Sequence, residues 1–194
     1  MAKLTLTILL ILSILSLTSI AHSATTPSPS PFIKSSCSLT RYPALCIKSL
    51  SSYASTIQES PKEIAEAALT VSLSSANSAK AYVIQMSKSI GLKGREYQVM
   101  KDCVETVADS VDRLSMSIGE LRHMGTGEQS FIWHMSNVQT WVSAAETDEN
   151  TCMDGFAGHA MDGKLKTSIK SKLLHVIQVT SNALALVNRF AERH

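Results

Sequence analysis

The sequence predicts an all-α protein: an antiparallel four-helix bundle preceded by a short N-terminal α-hairpin, with two disulfides. Three observations carry that class. Met100, Val104, Val107, Val111, Leu114, Ile118 and Leu121 recur in alternating steps of four and three, the apolar seam of a helix packed in a bundle. Alternating apolar and polar runs of the strand type are missing. Helix-start signals and glycine stops divide the rest into long amphipathic segments with short connections, which pack best as an antiparallel bundle.

Residues 1–23 read as a secretory signal peptide. Lys3 supplies the basic start, Leu4 to Ile20 an uncharged run, and Ala21 and Ser23 the small residues before a cleavage point. Thr5, Thr7, Ser13, Ser16, Thr18 and Ser19 dilute the run below what a membrane anchor requires. No other stretch is apolar enough to span a bilayer, so no membrane association is expected after cleavage. Residues 24–31, rich in Pro and Ser, are expected to form an extended tether. Residues 32–194 form the domain.

Within it, Phe32 to Tyr53 read as two short helical pieces broken at Tyr42-Pro43. Ser60-Pro61-Lys62-Glu63 is a strong helix start, with a capping serine, a proline at the first helical position and a glutamate completing a capping box. That helix is expected to reach Ile90, before Gly91 and Gly94, with an inward face of Ala65, Ala68, Ser72, Ser75 and Ala79. The seam helix follows and ends before Gly125-Thr126-Gly127. A fourth segment spans about Ser130 to Thr147, with Met135, Val138, Val142 and Ala145 on one stripe. After Gly155, Gly158 and Gly163 comes the last helix, Leu165 to about Ala191, with Ile169, Leu173, Val176, Thr180, Leu184 and Val187 at helical spacing.

The cysteines Cys37, Cys46, Cys103 and Cys152 form no C-x-x-C pair, so the usual zinc and thiol-redox spacings are absent. An even set behind an export signal reads as two disulfides, with three connectivities open. The formal charge of +2 falls to +1 once Lys3 is removed, a balance that argues against nucleic-acid binding. No nucleophile elbow, zinc-protease motif, phosphate loop or dinucleotide fingerprint is present, and the histidines show no ligand spacing. Neither catalysis nor a cofactor is expected.

Two features exceed what a plain bundle demands. Asp102, Glu105, Asp109 and Asp112 share one helix face beside the apolar seam. Such a stripe is either a solvated face, balanced locally by Lys101 and Arg113, or a docking face for a basic partner. Thr151 and Asp154 flank Cys152 near a helix end, where such residues usually serve caps and turns.

In order, Cys37-Ser38-Leu39-Thr40-Arg41-Tyr42-Pro43 with Cys46, Asp102-Cys103-Val104-Glu105 leading to Ser110-Val111-Asp112-Arg113-Leu114, Trp141-Val142-Ser143-Ala144-Ala145, Thr151-Cys152-Met153-Asp154-Gly155-Phe156, and Ser181-Asn182-Ala183-Leu184-Ala185-Leu186 resemble the plant invertase inhibitor and pectin methylesterase inhibitor family. The Trp-Val-Ser-Ala-Ala and Thr-Cys-x-Asp-Gly-Phe patterns are similar to its pectin methylesterase branch. The resemblance implies pairs Cys37–Cys46 and Cys103–Cys152, and a secreted apoplastic inhibitor that occludes the enzyme's active-site cleft in a non-covalent one-to-one complex. It also implies that Glu105, Asp109, Asp112, Thr151 and Asp154 meet the enzyme, with Asp102 as their neighbour. The chain departs from the commoner family form at Thr106-Val107-Ala108, where an aromatic is frequent, and at Glu146, usually leucine. An inhibitor of acid invertase is the alternative within the family. A wall-associated pectin-binding or structural protein is the alternative of another class.

Overall fold

The computed structural model describes residues 29–89, 91–125, 127–157 and 163–193, all helix, turn or irregular backbone with no strand among them. The signal peptide and most of the tether lie outside the described residues. The elements are α1 (Pro31–Cys37), α2 (Pro43–Leu50), a 3-10 turn (Ser51–Tyr53), α3 (Ala54–Ile57), α4 (Pro61–Ser89), α5 (Arg95–His123), α6 (Glu128–Gly155) and α7 (Lys164–Ala191).

Local chemistry sets the boundaries. Ser30 Oγ accepts from the Ile33 N–H, and Pro31 opens α1. Ser60 Oγ accepts from the Glu63 N–H to open α4, leaving one fewer orphan donor in the first turn. Gln58 and Glu59 lie in the left-handed region and turn the chain sharply between α3 and α4. Gly94 precedes α5 at φ +57, where a side chain would add strain.

The long helices form a closed ring in which α4 packs on α5, α5 on α6, α6 on α7 and α7 on α4. The α5–α6 and α6–α7 pairs are antiparallel, since cross-helix partners run in opposite senses along the chain: Arg113 with Asp148, Glu120 with Asn137, and Glu149 with Thr180 while Gln139 meets Asn188. The core is the seam expected from sequence, with three local shifts. Val104 is only half-buried because Cys103, tied across to Cys152, takes the interior position. Ser75 yields to Ala76 on α4, and Leu184 to Ala183 on α7. The small α4 face of Ala65, Ala68, Ser72, Ala76 and Ala79 lets the neighbouring backbones approach.

The hairpin is fastened in two ways. Cys37 and Cys46 join α1 to α2 with their Cα atoms 5.5 Å apart. The buried Asn182 of α7 binds both backbone groups of Tyr42: its Oδ1 accepts from the Tyr42 N–H at 2.9 Å and its Nδ2 donates to the Tyr42 carbonyl at 3.0 Å. Replacing Asn182 by Ala strands the Tyr42 N–H and leaves the Tyr42 carbonyl with the Cys46 N–H alone, and the expected cost is about 2 kcal/mol. A thermal melt should show the midpoint falling by about 4–8 °C. An unchanged midpoint would mean the hairpin is held by its packing and disulfide alone.

Helix α6 runs two turns past the expected end at Thr147. The polar residues there bind their own helix, Thr147 Oγ1 to the Ser143 carbonyl, Asn150 Nδ2 to Glu146 and Thr151 Oγ1 to Thr147. Each satisfies its side chain within the helix instead of diverting the backbone into a turn. Thr151 and Asp154 therefore stand on a helix face.

Candidate functional site

The structure brings the sequence-selected residues onto the α5–α6 edge of the ring. Asp102, Glu105, Asp109 and Asp112 are all exposed on α5, and Thr151 and Asp154 are exposed on α6. The Cys103–Cys152 bond fixes the two sets to each other, its Cα atoms 4.4 Å apart. Asp102 and Thr151 each precede one of those cysteines, so they flank the bond on adjoining helices.

One contact within α5 and two sets of contacts between α5 and α6 order the residues of this edge. Gln98 Nε2 donates to Asp102 Oδ1 at 2.6 Å. Arg113 Nε donates to Asp148 Oδ2 at 2.7 Å, joining α5 to α6 below Asp109 and Asp112. Partial burial pushes the Asp148 carboxyl up despite Arg113, with Asp109 adding like charge. At the far end of the edge Glu120 accepts from Asn137 Nδ2 at 2.7 Å and faces His134 Nδ1 at 2.9 Å. The Asn137 hydrogen bond, foremost, holds the Glu120 carboxyl low.

Helix α6 adds acids and no Lys or Arg from Glu128 to Gly155, although Glu149 is buried and Asp148 is paired with Arg113, so the exposed charge of the face comes chiefly from α5 and Asp154. Trp141 is half-buried and Phe156 fully inside, so neither aromatic offers a large apolar anchor here. The arrangement suits electrostatic docking of a basic protein surface. Among the described residues no group of His, Cys, Asp and Glu is placed to hold a metal ion, and no helix is long and apolar enough to cross a membrane.

One residue of consequence escaped the sequence reading. Glu149 is 0 % exposed at the centre of the bundle. Its Oε1 accepts from Ser110 Oγ of α5 at 2.7 Å and from Thr180 Oγ1 of α7 at 3.0 Å, while Oε2 is buried without a hydrogen-bond partner among the described residues. Burial outweighs the two hydroxyl donors and pushes the carboxyl up to about 8. The signal was present: the stripe Met135, Val138, Val142, Ala145 continues in helical steps to Glu149 and Cys152. Glu149 lies directly beneath the exposed face, one turn before Cys152.

Comparison with known proteins places these features in context. A family model described as plant invertase/pectin methylesterase inhibitor matches residues 31–186. The chain is 53% identical over 164 residues to a 21 kDa protein of Daucus carota, covering 84% of this chain and 85% of that one. It is 49% identical over 187 residues to pectinesterase inhibitor 9 of Arabidopsis thaliana, covering 93% and 92%. The crystal structure of a mutant form of a pectin methylesterase inhibitor from Arabidopsis shares the fold, with a TM-score of 0.65 at 17% identity over 82% of this chain and 97% of that one.

Proposed function

Because the chain belongs to the plant invertase/pectin methylesterase inhibitor family, we propose that it is a proteinaceous inhibitor of pectin methylesterase rather than an enzyme. In this reading residues 1–23 are removed on export, and the mature protein acts in the apoplast. There it forms a non-covalent one-to-one complex in which the α5–α6 face covers the enzyme's active-site cleft. Glu105, Asp109, Asp112, Thr151 and Asp154 make the contact, and Asp102 sits beside them.

The observation that carries this reading is the cross-linked acidic face itself. Five carboxylates or hydroxyls chosen from sequence stand exposed on two adjoining helices, locked in register by the Cys103–Cys152 bond. A rigid surface loses little freedom on docking, which favours inhibition by occlusion over any rearrangement. The unbalanced negative charge steers a basic partner and sets orientation. Relatives at about half identity over most of both chains are named pectinesterase inhibitors.

The test is a parallel assay of the secreted chain against a plant pectin methylesterase and an acid invertase. Ester hydrolysis should fall in proportion to added protein, and the two proteins should co-elute at a one-to-one ratio, while sucrose hydrolysis is unaffected. Inhibition of invertase with untouched ester hydrolysis would overturn the assignment in favour of the other branch.

A further inference from the structure

The outward row on α5 does not end with its acids. The same steps of four and three carry it past Asp112 to Met116, which is 44 % exposed, and to Gly119. Helix α6 presents a matching row of Trp133, Ser136, Thr140, Ser143, Thr147 and Thr151, every member exposed. Trp133 precedes Thr151 by about five full turns, so the two share one bearing on the helix. It is 66 % exposed, and Ile132 beside it 55 %. The Cys103–Cys152 bond and the contacts of Glu120 with His134 and Asn137 fix how the two helices run against each other. Both rows therefore pass from charged or hydroxyl side chains to apolar ones toward the same end of the bundle. There Gly119 lies inside α5, where glycine weakens a helix relative to alanine, yet a Cβ added to it would meet no atom within 4 Å. The packing of the chain does not call for that glycine.

A single exposed apolar side chain needs no explanation. Here two rows turn apolar together, at a level where α5 also omits a side chain it has room for. The acids from Asp102 to Asp112 span about 15 Å of helix, whereas a stable protein contact covers about 800 Å² a side, a patch about 30 Å across. Trp133 lies about 27 Å along α6 from Thr151, so a contact of ordinary size that includes the acids and Thr151 also reaches it. Charge steers and orients a complex more than it holds it together. The residues that hold contacts together are enriched in tryptophan. Trp141 is half-buried and Phe156 is inside, which leaves Trp133 as the tryptophan this surface offers to a partner. We infer that Trp133 is the apolar anchor of the inhibitor's contact with pectin methylesterase, seated in an uncharged hollow of the enzyme's surface, with Gly119 leaving room beside it. The inference rests on the proposed function for the choice of partner. It adds the residue that sets how long the complex lasts, while the acids set how fast it forms.

The experiment follows association and dissociation of a plant pectin methylesterase on the immobilised secreted chain, at low and high salt, beside inhibition and melting. Trp133→Ala should raise the dissociation rate at least about tenfold at both salt concentrations, with association changed less than about threefold. Trp133→Phe should recover part of the loss. Gly119→Gln, a better helix former, should melt no lower than the parent and yet inhibit at least about tenfold less well. The chain has two tryptophans, so labelling with 5-fluorotryptophan gives two fluorine resonances. The one missing from Trp133→Phe should shift when enzyme is added, and neither with polygalacturonate nor with the chain's own concentration. A parent that inhibits and a well-folded Trp133→Ala that dissociates no faster overturn this inference and leave the proposed function in place. A Trp133 resonance that moves with polygalacturonate alone, or with the chain's own concentration, assigns the side chain to the polymer or to a second copy and overturns it too. A parent that neither binds nor inhibits the enzyme overturns the proposed function, and the anchor with it.

Discussion

The bundle is expected to be most stable in mild acid and to weaken steadily as pH rises from about 4.5 towards about 8, and Glu149→Gln is expected to abolish that decline. Inside the fold the Glu149 carboxyl keeps its proton up to about 8, against an ordinary value of 4.5. The unfolded chain releases the proton near the lower value. Between the two the native state binds more protons, so stability falls with rising pH. The contribution is complete below about 4.5 and lost above about 8, a total of roughly 5 kcal/mol. Domains of this size are stable by only about 5–15 kcal/mol, so the loss is a large fraction of the whole. Glutamine keeps the shape and an oxygen for Ser110 and Thr180 but carries no proton to lose. Its melting temperature should stay level across the window and exceed that of the parent by about 10–20 °C at the alkaline end. Parallel curves for the two proteins would show that another group sets the pH dependence. Asp148, raised by partial burial, acts in the same direction, while Glu120, held low, favours the fold on the alkaline side of its titration. In mildly acidic surroundings the protein stays on the stable side of the Glu149 transition.

Much of the architecture was legible because it depends on spacing. The seam on α5, the cap at Ser60 and the glycine stops each follow from a local rule that neighbouring helices then reinforce. What was not legible depends on partners distant in sequence. Glu149 reads as a polar residue near a helix end until Ser110 and Thr180 are seen to close around it. The length of α6 was obscured because Thr147, Asn150 and Thr151 resemble turn residues, and only their bonds to carbonyls four residues back show that they continue the helix. Val104 gave way to Cys103 since a strict four-three pattern drifts around a straight helix, and the disulfide decided which residue faces inward. The acidic stripe was visible in sequence from its steps alone. Its continuity with Thr151 and Asp154 needed the fold, which sets the two helices side by side.

The proposed inhibition depends on that stripe. Asp109 and Asp112 are exposed at the middle of the α5 face, clear of the core and beside the Arg113–Asp148 pair. Turning both to lysine reverses the local field at the proposed docking face. Close charge pairs at interfaces couple by about 1.5 kcal/mol or more, so two reversals should raise the inhibition constant about 100-fold or more. Fold stability should move by no more than about 0.5 kcal/mol per exposed site, so helicity and melting separate a lost contact from a damaged bundle. The deciding measurement is inhibition of a plant pectin methylesterase by the parent and by the Asp109→Lys, Asp112→Lys double variant at one pH and salt concentration. The parent should inhibit and the double variant should fail at the same concentration while melting normally. Undiminished inhibition by a well-folded double variant would show that the enzyme docks elsewhere on the bundle.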